Sequence, residues 1–65
     1  MTTPSATVLV VDDEHRLAHQ IATGLGAAGY RALVAATGAQ ALTLLAQEPI
    51  DLAILDLDLP DIQGL

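Results

Sequence analysis

The stretch TVLVVDDEHRLAHQIATGL, Thr7 to Leu25, changes its period halfway along, and that change decides the fold. Thr7 to Val11 is a short β-branched run that ends abruptly at Asp12. Runs without polar alternation suit a strand buried on both faces, as in a parallel sheet. From Glu14 onward Leu17, Ile21 and Leu25 recur at i, i+4 and i+8, with Ala18, Ala22 and Ala28 beside them. That spacing predicts an amphipathic helix. Gly24 and Gly26 weaken it by up to about 1 kcal/mol each relative to alanine. Gly29 supplies a natural C-cap. A buried strand followed at once by an amphipathic helix opens a β/α unit.

The pattern repeats downstream. YRALVAA, Tyr30 to Ala36, reads as a second short strand. Thr37 can N-cap a second helix over about Gly38 to Gln47, with Ala41, Leu42, Leu44 and Leu45 on its buried side. Pro49 stops it. DLAILDL, Asp51 to Leu57, is a third strand, and Pro60 and Gly64 mark the loop that follows. The order is βαβαβ, in the α/β class, with helices of about ten to fifteen residues between strands. The expected organisation is a flexible polar lead over residues 1–6 and one unit over 7–65, without internal repeats.

Composition sets the boundaries on function. A chain of 65 residues holds one small domain, and at about 60 residues only ~60% of the unfolded surface is buried on folding. There is no cysteine, so no disulfide can add stability. That absence fits a reducing cytoplasm, the expected location. Hydrophobic residues make up 52% of the chain, yet it has one Tyr and no Phe or Trp, so the core must be aliphatic. No apolar run approaches the ~18 residues that span a bilayer, and MTTPSA lacks the basic start of a signal peptide. Eight acids stand against Arg16 and Arg31, with no lysine, for a net charge of −6. Such a surface repels nucleic acid and anionic lipid, so neither is an expected partner of this chain.

Six of the eight acids fall in two groups: Asp12, Asp13 and Glu14, then Asp56, Asp58 and Asp61. Asp12 and Asp13 follow the first predicted strand, and Asp56 closes the apolar part of the third. In open α/β sheets ligands bind beyond the carboxyl ends of strands. If those two strands are adjacent and parallel, the three carboxylates converge on one edge. A hard site made only of oxygens matches Mg²⁺. The plainer reading makes each aspartate a solvated strand end or a helix cap, favoured by the helix dipole. It accounts for any one of them more easily than for all three together.

Three motifs in register resemble the first half of a response-regulator receiver domain: VLVVDDE (Val8 to Glu14), TGAQAL (Thr37 to Leu42) and DLAILDLDLPDIQGL (Asp51 to Leu65). The resemblance covers nearly all of 8–65. It implies a flavodoxin-like half with parallel strand order 2-1-3 and an incomplete sheet. By that likeness Asp56 is the phospho-acceptor, Asp13 a direct Mg²⁺ ligand, Asp12 a water-mediated one, and the backbone carbonyl of Asp58 a further ligand. The implied partner is a sensor histidine kinase whose phosphohistidine donates to Asp56. The chain is then no enzyme beyond Mg²⁺-dependent self-phosphorylation. A complete receiver has two more strands and three more helices, bearing a Ser or Thr and a Lys that grip the phosphoryl group. This chain has no lysine, so the resemblance implies a truncated form without its switch residues.

Other readings fit less well. A non-catalytic association module derived from a receiver would keep the acids without using them. DLDLP also resembles the DxDxT/V motif of haloacid-dehalogenase-type aspartyl phosphatases. Here, however, Pro60 fills the fifth position and the motif follows the third strand, not the first. An EF-hand fails because Asp61 stands where glycine is needed. His15 and His19 have i, i+4 ligand spacing but no third soft ligand, so they read as a solvated helix face. Finally, in the 2-1-3 order the apolar third strand is an open edge that invites pairing. The expected outcome is a homodimer or higher oligomer through that edge or the uncovered sheet faces.

Overall fold

In the computed structural model residues 6–55 are described, and they form the expected β/α alternation. Strand β1 (Thr7–Val11) leads into helix α1 (His15–Ala27). Strand β2 (Arg31–Ala35), helix α2 (Gly38–Gln47) and strand β3 (Leu52–Leu55) follow. The three strands form one parallel sheet in the order β2-β1-β3. The chain therefore steps one way from β1 to β2 and the other way from β2 to β3. Right-handed crossovers in opposite directions put α1 and α2 on opposite faces.

Burial follows from that order. β1 is central and every residue in it is buried, with Leu9 and Val10 wholly inaccessible. Leu9 and Val11 pack with Ala35 and Ala41, and Leu33, Leu44 and Ile50 close around them on the α2 side. Strand alternation turns Val8 and Val10 to the opposite face, and Ala18 is the buried residue of α1. The strand needs no polar alternation because both of its faces are covered.

The local signals hold where the chemistry is local. Gly29 adopts φ +97°, and its N–H bonds to the Gly26 carbonyl at 3.0 Å. The Tyr30 N–H reaches the Leu25 carbonyl at 3.0 Å. These two bonds form a Schellman motif that ends α1 with a left-handed glycine. Thr37 caps α2, its Oγ1 accepting from the Gln40 N–H at 3.1 Å. Gln40 reaches back, and its Oε1 accepts from the Ala36 N–H at 2.8 Å.

Two expectations about burial need correction. Leu42 and Leu45, assigned to the buried side of α2, are 70% and 48% exposed. Leu17 of α1 is likewise exposed. The cause is the placement of the helices. Among the described residues both pack on β1 and β2, and neither touches β3. β3 contacts only β1, so all four residues of LAIL are exposed, Leu52 at 59%. Among the described residues no helix is long and apolar enough to cross a membrane.

Candidate functional site

The carboxyl end of β1 is where the sequence turns from apolar to acidic. The ladder continues one residue past the strand, for the Asp12 N–H donates to the Ala35 carbonyl at 3.0 Å. That bond holds Asp12 against the end of β2, and Asp12 is only 7% exposed. Its Oδ1 accepts from the Glu14 N–H at 2.9 Å, closing a short turn from β1 into α1. Glu14 is the N-cap position of α1 but makes no side-chain cap bond. Asp12 thus partly fills the capping role that the plainer reading gave it. A carboxylate near the start of α1 also has a favourable sign for the helix dipole.

Asp13 stands one residue further on and is exposed. The two aspartates therefore differ in kind: one is buried and oriented by a backbone donor, the other is open to solvent. Both supply hard oxygens, and this donor set suits Mg²⁺ better than a softer ion. Asp56 and Asp58, the other two expected ligand positions, lie outside the described residues. So does the continuation of the third strand to Leu57. Among the described residues no three His, Cys, Asp or Glu side chains gather as a metal site.

The register of the sheet bears on the remaining acid. In the parallel β1–β3 pairing Val11 is the partner of Leu55, and Val8 that of Leu52. Val11 and Leu55 therefore stand level at the same end of the sheet. In sequence, Val11 is followed by Asp12 and Asp13, and Leu55 by Asp56.

That register is fixed at the opposite end by a residue whose role sequence reading missed. The Thr7 N–H donates to Asp51 Oδ2 at 2.7 Å, and the Asp51 N–H donates to the Thr7 carbonyl at 2.9 Å. Asp51 was expected only as the first residue of a strand. An aspartate directly before an apolar run is the one signal that could have marked it as a local clamp. Gln40 was missed too, although Thr37-x-x-Gln40 has the spacing of a capping box. His15 and His19 are both exposed on α1, as expected of a solvated helix face.

The response regulator receiver domain matches residues 8–65. The transcriptional regulatory protein KdpE of Mycobacterium tuberculosis is 45% identical over 58 residues, which are 89% of this chain and 26% of that protein. The regulatory protein VanRc of Enterococcus gallinarum is 40% identical over 60 residues, 92% of this chain and 26% of its own length. The response regulator GtcR of Aneurinibacillus migulanus is 37% identical over 60 residues, 92% of this chain and 25% of that protein. The chain thus spans about a quarter of the length of the curated relatives it matches. No solved structure matches significantly.

Proposed function

The chain belongs to the response regulator receiver domain family, and we propose that within a two-component system it carries the phospho-acceptor, Asp56. The observation that supports this most is the register between β1 and β3. Val11 and Leu55 are register partners, and each is followed in sequence by the acids of the proposed site.

In the proposed reaction a phosphohistidine of a sensor histidine kinase is the donor. A carboxylate oxygen of Asp56 attacks phosphorus in line, a P–O bond forms, and the P–N bond to the imidazole breaks. The product is an acyl phosphate on Asp56, and the leaving imidazole nitrogen takes up a proton. Asp13 and Asp12, with Asp56 and the Asp58 carbonyl, would hold Mg²⁺. When bound, that ion would offset the repulsion between an acidic rim and an incoming anion. Asp12 contributes through its position: its bond to the Glu14 N–H fixes the turn that carries Asp13. The reading includes a cytoplasmic location and no direct contact between this chain and nucleic acid, in keeping with its net charge of −6.

A second copy of the chain is the other proposed partner, joined at β3. In support, LAIL is uncharged, exposed along its whole length and, among the described residues, bounded by β1 on one side only.

The decisive experiment offers a small phosphodonor, such as phosphoramidate, to the purified chain with and without Mg²⁺ and reads intact mass. A single phosphoryl adduct that needs Mg²⁺ and disappears in Asp56→Asn is expected. No adduct under any condition would favour the association-module reading.

A further inference from the structure

No further inference is drawn: the strongest candidate, the solvent-open cavity of about 530 Å³ lined by His15, Arg16 and His19 of α1 and Val34 of β2, carries nothing because nothing in the structure shows what covers it.

Discussion

Thr7 and Asp51 bind each other twice: the Thr7 N–H donates to the Asp51 carboxylate, and the Asp51 N–H donates to the Thr7 carbonyl. This pair joins the starts of β1 and β3 and sets them in step. β3 has no helix on it among the described residues, so little besides this clamp and the ladder holds it in register. Asp51→Ala should cost about 1 kcal/mol, within the usual range for a net hydrogen bond. Asp51→Asn should cost less, since an amide oxygen can still accept. Amide exchange at Thr7 is the sharper readout. Faster exchange in Asp51→Ala is expected, and an unchanged rate would show that the clamp is unimportant in solution.

The turn after α1 depends on one backbone conformation. Gly29 sits at φ +97°, and nothing lies within 4 Å of where a Cβ would be added. Any penalty for Gly29→Ala therefore comes from the backbone and not from a clash. The left-handed region costs an L-residue about 1–2 kcal/mol. Urea denaturation should show a loss of that size, with the m-value unchanged.

Thr37 and Gln40 act as a pair at the start of α2. Thr37→Ala should destabilise by about 1 kcal/mol, as the loss of an N-cap does. Gln40→Ala should cost less, because the Ala36 N–H it leaves is open to water. In a double-mutant cycle the two effects should fall short of additivity, since each bond orders the residue that makes the other.

The fold was legible wherever one stretch carried its own signal. The apolar run Thr7 to Val11, the helical spacing of Leu17, Ile21 and Leu25, and the Gly29 stop all act over a few residues. Burial was less legible. Leu42 and Leu45 read as core because they are leucines beside Ala41, but their exposure depends on where α2 lies across the sheet. That position is set by strand order and crossover hand, not by the helix itself. The acidic rim was legible as a pattern. The difference between buried Asp12 and exposed Asp13 was not, because it comes from a single ladder bond to Ala35.

That difference allows charge to be separated from structure at the proposed metal site. Asn can still accept the Glu14 N–H, so Asp12→Asn removes the charge and keeps the turn. Asp12→Ala removes both. Mg²⁺ titration followed by NMR should show weakened binding in Asp12→Asn with helical content unchanged. Asp13→Asn should abolish binding, as expected of a direct ligand. Equal Mg²⁺ affinity in the native chain and both Asn variants would sink the site.

The exposure of β3 leads to a prediction about association. Leu52, Ile54 and Leu55 are all more than a third exposed, and no charge lies within LAIL to discourage pairing. Edge strands that stay solitary generally carry such a charge, a proline or a bulge. Two copies related by a two-fold axis could join their third strands antiparallel, and each would then cover the other's unpaired edge. The chain from Met1 to Leu65 should therefore sediment as a dimer or larger species whose share falls on dilution. Ile54→Lys places a charge on the proposed seam, so it should shift the balance toward monomer. Leu42→Lys changes a more exposed leucine on α2, away from the seam, and should leave association unchanged. A well-folded monomer at micromolar concentration would overturn the β3 dimer. Equal effects of the two lysine variants would place the contact elsewhere.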